Sequence, residues 1–156
     1  MAKSTPATLA LQEAGVVFQL HEYDYDPNAE RIGMQAAQAL GVEPARLLKT
    51  LMVKVGDEVV CALAPSDREV NLKKLASAAG AKHAAMLGAA EAERMTGYHV
   101  GGISPFGQKK RVRVFIERAS LSFPKVVCNG GRRGLQVELS PADLMRGLSA
   151  TAAEIC

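Results

Sequence analysis

The sequence predicts a mixed α/β (α+β) fold in a single compact domain spanning residues 1–156. Three observations lead there. Helix-like and strand-like stretches interleave irregularly, tight glycine turns join successive strands into hairpins, and 48% hydrophobic with 22% charged residues suits a packed globule. Hairpins rule out a simple doubly wound sheet. A chain of 156 residues can bury a core without disulfide or metal staples.

The elements follow in order. Ser4-Thr5-Pro6 is a helix start, a hydroxyl cap followed by proline at the first helical position, and Gly15 is its stop. From Val16 to Tyr23 apolar and polar residues alternate, the pattern of a half-buried strand with Val16, Phe18 and Leu20 inward. Asp24 to Asn28 is a loop. A short helix runs from Ile32 to Leu40 and closes at Gly41, and Pro44 opens a further helical turn. Leu47–Val55 and Glu58–Pro65 form a hairpin about Gly56-Asp57. Asn71 caps a helix with Leu72, Leu75, Ala76 and Ala79 on one face, ended by Gly80. Lys82–Met86 is a short strand, and Glu91–Met95 is a short helix stopped by Gly97. Arg111–Ile116 alternates as a strand. Lys125–Cys128 and Leu135–Leu139 flank a Gly130-Gly131 turn, and a last helix from Pro141 carries Leu144, Leu148 and Ala152. Met34, Met52, Met86, Met95 and Met145 read as core filler.

Charge is unevenly distributed. Residues 1–100 hold ten Lys or Arg against twelve Asp or Glu, whereas residues 101–156 hold nine against four. Such a basic segment fits either a polyanion partner or a solvated, lysine-protected strand edge. No apolar run is long enough for a membrane span, and the first residues lack a signal-peptide core, so a cytoplasmic protein is expected. Three dispersed cysteines and three dispersed histidines form neither a disulfide framework nor a zinc-ligand pattern; no metal and no cofactor are expected.

Few residues offer chemistry. Gly97–Gly107 and Asn129–Gly134 are glycine-rich loops that can bring backbone N–H groups close to a ligand, or simply turn tightly. Neither matches a dinucleotide or phosphate-loop fingerprint. Lys49 is sharper, a lysine within the apolar run Leu47–Val53. It either snorkels to the rim or faces a pocket with an anionic or carbonyl ligand. There is no G-x-S-x-G elbow, and Cys61 and Cys128 read as small core residues.

Lys49-Thr50-Leu51, the segment Thr96–Lys110 with Gly101-Gly102-Ile103-Ser104-Pro105, and Gly130-Gly131-Arg132-Arg133-Gly134-Leu135 followed by Glu138-Leu139 closely resemble the YbaK/EbsC family. Thr5-Pro6-Ala7, His21-Glu22-Tyr23 and Asn71–Ala76 match as well, so the likeness runs over nearly the whole chain. The resemblance implies a mixed, barrel-like sheet flanked by helices, related to the editing domain of prolyl-tRNA synthetases. It implies an aminoacyl-tRNA deacylase acting in trans, with the acceptor end of aminoacyl-tRNA and prolyl-tRNA synthetase as partners.

Lys49 is the residue on which that family depends. The implied substrate pocket comprises Tyr23, Ile32, Thr50, Gly101, Gly102, Ile103, Ser104, Pro105, Asn129, Gly130 and Gln136, and the implied phosphate contacts are Lys109, Lys110, Arg132 and Arg133. Members specific for cysteine let the substrate's own thiol attack its ester. Their pattern has Phe, Ser and Asp where this chain has Ile32, Asn129 and Gln136, so the acyl specificity stays open. Cysteinyl-tRNA(Pro) leads, with alanyl, 2-aminobutyryl and seryl or threonyl tRNA as sister specificities. A noncatalytic RNA- or synthetase-binding module is the alternative of another class.

Overall fold

The computed structural model describes residues 4–28 and 32–156, with side chains for 4–28 and 34–156. In chain order the elements are α1 (Pro6–Glu13), β1 (Gln19–Glu22), α2 (Ile32–Leu40), a 3₁₀ turn (Pro44–Arg46), β2 (Leu48–Val55), β3 (Glu58–Pro65), α3 (Leu72–Ala79) and β4 (Ala84–Met86). There follow α4 (Ala89–Thr96), β5 (Val114–Glu117), a second 3₁₀ turn (Arg118–Ser122), β6 (Val126–Asn129), β7 (Leu135–Leu139), α5 (Pro141–Leu148) and β8 (Thr151–Ala153).

The strands make two sheets. One has the order β4-β2-β3-β5-β8 and mixes antiparallel pairs with the parallel pairs β3–β5 and β5–β8; the other, β1-β7-β6, is antiparallel. The mixed α/β expectation therefore holds, but a barrel-like single sheet does not. The sheets meet at one isolated parallel bridge, Leu47 to Val127, which is too little ladder to close a barrel.

Local chemistry explains most boundaries. Thr5 and Thr8 form a reciprocal capping box at the start of α1, and Asn71 accepts from Lys73 N–H at 3.0 Å and Lys74 N–H at 3.1 Å at the start of α3. Gly80 and Gly97 stop α3 and α4 in the left-handed conformation. The β2–β3 hairpin keeps its register from Leu48–Pro65 to Val55–Glu58, so Lys49 stands opposite Ala64. Val126, Cys128, Val137 and Leu139 of the small sheet share a core with Met52, Cys61, Leu63 and Ile116 of the large one. On the other face of the small sheet, Val127 packs with Leu47 and with Ala36 and Ala37 of α2.

Several expectations need correction. The strand expected from Val16 begins only at Gln19, and Leu20, expected inward, is among the exposed large hydrophobics. The strand expected from Arg111 begins only at Val114, because the side chains that alternate at 111–113 lie outside the ladder. The last helix ends at Leu148, where Ser149 turns left-handed at φ 50°; Ala152 lies in β8, which pairs in parallel with β5. Met86 is not core filler, being 52% exposed on the edge strand β4.

Candidate active site

Where the two sheets meet, a hollow of about 250 Å³ opens to solvent. Its walls come from distant parts of the chain: Lys49 and Thr50 of β2, Tyr23 just past β1, Gly101 and Ile103 of the first glycine loop, and Asn129 and Gln136 on the ends of β6 and β7. Seven residues singled out in the sequence are thus gathered around one space. The side chain of Ile32 lies outside the described residues; its backbone begins α2.

Lys49 is 22% exposed at the rim, and its nearest carboxylate, Glu69 at 3.8 Å, is 92% exposed. So wet and long an ion pair holds the ammonium only weakly, leaving it available to a ligand. Next to it, the hydroxyl Oγ1 of Thr50 is buried without any hydrogen-bond partner. A buried orphan hydroxyl costs about 1–3 kcal/mol, and the residue that carries it lines the hollow. Burial pushes the Tyr23 phenol up from its ordinary range, against an opposing hydrogen bond with Gln136, so it stays protonated at neutral pH.

The glycine loops form the wall opposite β2 and are braced internally. Tyr98 Oη donates to Phe106 O at 2.6 Å, and Gln108 Nε2 donates to Ser104 O at 3.0 Å. Asn129 staples the two loops together: its Nδ2 donates to Gly101 O and Arg132 O, both at 3.3 Å, while its Oδ1 accepts from Gly131 N–H at 2.7 Å. Gly102 has a structural reason to be glycine. A Cβ there would stand 2.7 Å from the backbone of Arg132 and Arg133, and its N–H already donates to His99 O at 2.8 Å. Thr5 also reaches this region, donating its hydroxyl to Gly130 O, so the α1 cap is built into the site's scaffold.

Other expected residues sit behind the wall. Ser104 is fully buried and its hydroxyl accepts from Phe106 N–H at 3.1 Å. Pro105 borders a separate groove beside Ala10 of α1 and Gly147 of α5. Gly130 is buried, its N–H donating to Leu135 O at 2.8 Å.

The basic residues divide. Arg133 donates to Val100 O at 2.9 Å and lies over the Tyr25 ring at 5.4 Å, and Arg132 pairs with Glu22 at 3.3 Å; both belong to the loop that borders the hollow. Lys109 and Lys110 are exposed past the end of α4, with Lys110 facing a second, wider hollow beside the β2–β3 turn.

Sequence reasoning overlooked Leu47, Ser66 and Val100, which also line the hollow. Ser66 donates N–H (2.9 Å) and hydroxyl (2.7 Å) hydrogen bonds to Leu47 O. The hairpin register held the signal: once Pro65 pairs with Leu48, the next residue must lie beside Leu47. Cys61 and Cys128 are fully buried, and burial pushes both thiols up to about 12. Thiols so protonated are poor nucleophiles.

The chain matches the family described as "Aminoacyl-tRNA editing domain" over residues 26–146. A relative from Enterococcus faecalis named "Putative Cys-tRNA(Pro)/Cys-tRNA(Cys) deacylase EbsC" is 35% identical over 137 residues, covering 86% of this chain and 83% of that one. The proline–tRNA ligase of Thermoanaerobacter sp. is 34% identical over 95 residues, which is 60% of this chain but 16% of that longer protein. Among solved structures, the hypothetical protein APE2540 superposes with a TM-score of 0.85 at 28% identity, covering 96% of this chain and 98% of that one. A structure described as "a putative trans-editing enzyme for prolyl tRNA synthetase" gives 0.85 at 23% identity over 99% and 98%, a likeness of fold.

Proposed function

This chain belongs to the aminoacyl-tRNA editing domain family, and on that premise we propose that it is a trans-editing deacylase. Residues 1–156 would act as one editing unit in the cytoplasm, hydrolysing the ester of a mischarged tRNA, with cysteinyl-tRNA(Pro) the first substrate to test. The observation that carries this reading is the pairing of a weakly held ammonium, Lys49, with the orphaned hydroxyl of Thr50 on one wall of a hollow.

An aminoacyl ester is already activated, so the site's task is to orient it and to stabilise negative charge developing on oxygen. Lys49 Nζ supplies that charge stabilisation, and Thr50 Oγ1 supplies a hydrogen bond at the same end. Neither cysteine buried in the core offers a thiolate, which suits a reaction in which a cysteinyl substrate uses its own. Its sulfur attacks the ester carbonyl carbon and the bond to the tRNA ribose oxygen breaks. The thiol proton ends on that oxygen, leaving a cyclic thioester for water to open. The acceptor end of the tRNA lies across the Arg132-Arg133 loop at the mouth, with prolyl-tRNA synthetase as the source of the mischarged tRNA.

A second reading changes only the acyl group. Asn129's amide is engaged by three backbone groups, whereas the Thr50 hydroxyl is unpartnered. An orphaned hydroxyl in the lining would suit a small polar acyl group such as serine or threonine. Release of the amino acid from tRNAs charged with cysteine, alanine, 2-aminobutyrate, serine or threonine separates the readings, with Lys49→Ala as control. Loss of release in Lys49→Ala by at least ~100-fold is expected for a group stabilising transition-state charge. No release by the wild-type chain from any of these tRNAs overturns the enzymatic reading.

A further inference from the structure

Outside the hollow, an ionic cluster lies close to its walls. Glu138 on β7 accepts from Arg46 Nη1 through Oε2 at 2.8 Å, and its Oε1 lies 2.8 Å from His21 Nε2. All three side chains are largely sequestered, at 17%, 21% and 27% exposure, so this pair is screened less than an ordinary surface bridge. The hydrogen bond and charge of Arg46, then His21, hold the Glu138 carboxyl below its usual range.

The placement of the three is informative. His21 stands two residues before Tyr23, Glu138 two residues beyond Gln136, and Arg46 three residues before Lys49. Each member is therefore the near neighbour, along its own segment, of a residue that lines the hollow. Arg46 ends the 3₁₀ turn that leads into β2, and Glu138 belongs to the other sheet, so their ion pair crosses the junction where the two sheets meet. The neighbouring main-chain link there is a single bridge, Leu47 to Val127. Beside that bridge and the apolar core the sheets share, the ion pair from Glu138, whose other oxygen His21 of its own sheet contacts, is a polar tie across the junction that opposes a shift of one sheet against the other.

We infer that Arg46, Glu138 and His21 are positioning residues: they set the separation of the β2 wall, with Lys49 and Thr50, from the β1–β7 wall, with Tyr23 and Gln136. This rests on the deacylase reading for its kinetic consequence but not for its structural one. A displacement of about 1 Å at a reacting centre lowers turnover by as much as ~100-fold, whereas tRNA binding is spread over exposed basic residues elsewhere.

The test is steady-state deacylation by Arg46→Ala, Glu138→Ala and the double variant, each at a temperature where circular dichroism shows it folded. Arg46→Ala and Glu138→Ala are each expected to lower kcat about tenfold and to change KM for tRNA less than about threefold. The double variant should be no slower than the slower single one, because both remove one tie. Arg46→Lys, which keeps the charge, should recover part of kcat. Unchanged kcat in a folded single variant, or losses that multiply in the double, overturn the inference. If the wild-type chain deacylates nothing, the functional reading falls and the tie is judged by NMR instead. Glu138→Ala should then move the amide resonances of Lys49 and Thr50 across the junction, and their constancy overturns it.

Discussion

Thr50 is where stability and function pull against each other most visibly. Its hydroxyl is buried without a partner in a residue that lines the hollow, a cost to stability that a ligand reaching it would offset. Thr50→Val keeps the β-branched shape that suits a strand and removes the orphan. The expected outcome is an unfolding free energy raised by about 1 kcal/mol together with slower deacylation, read from urea denaturation and from amino acid release. A variant that is destabilised, or one that is stabilised and fully active, contradicts a ligand-facing role. Gly102 shows the opposite case, a residue near the site that serves packing. Gly102→Ala places a methyl 2.7 Å from the backbone of the second glycine loop, and overpacking of that kind costs about 1–3 kcal/mol. A lowered Tm is the expected result. Lys49 was legible in the sequence because a lysine in an apolar strand is an anomaly by itself. The packing duties of Gly102, Ser104 and Gly130 were not, since they depend on which backbone lies opposite, and no local pattern encodes that.

At the scale of elements, caps and turns were read well because their chemistry is local. Asn71 both accepts from two N–H groups of α3 and precedes the apolar face. Asn71→Ala is expected to cost about 1 kcal/mol and to leave deacylation unchanged, because α3 does not border the hollow. Strand β8 was hidden for the converse reason. Its three residues carry no alternation, and they are a strand only because β5 lies beside them. Glu117 helps hold the chain beyond β8: it is 3% exposed, and its Oε1 accepts from the N–H groups of Ile155 (3.0 Å) and Cys156 (3.1 Å) while Oε2 accepts from Ala119 at 2.9 Å. Burial alone would raise this carboxyl, but the three N–H groups, with Arg68, outweigh it and hold it below its usual range. A depressed carboxylate contributes stability that is fully present above the unfolded pKa, roughly 4.3, and lost as pH falls through the folded value. Glu117→Gln should therefore destabilise the protein by about 2 kcal/mol at pH 7 and by progressively less below pH 4. Denaturation midpoints across that range check it, and a pH-independent difference would speak against the charge.

Across the whole molecule, the basic excess of residues 101–156 is smaller as a free surface than the count suggests. Arg113 is clamped by both oxygens of Glu58, Arg146 pairs with Asp143 at 2.7 Å and Arg132 with Glu22 at 3.3 Å. Exposed cations remain at Lys109, Lys110, Arg111, Arg118, Lys125 and Arg133, of which Arg133 belongs to the loop bordering the hollow and Lys110 faces the second, wider one. A tRNA whose acceptor end enters the site would thus meet a few phosphate contacts, not nine. Each neutralised phosphate adds roughly one to the slope of log K against log salt. A slope of about −2 to −4 is expected for tRNA binding between low and moderate salt. Arg133→Ala should reduce its magnitude by about one, whereas Arg146→Ala, on α5 and already paired, should leave it unchanged. Binding titrations at four or more salt concentrations decide the matter. An equal effect of both substitutions would mean that the protein's overall charge, and not a surface beside the hollow, attracts the nucleic acid.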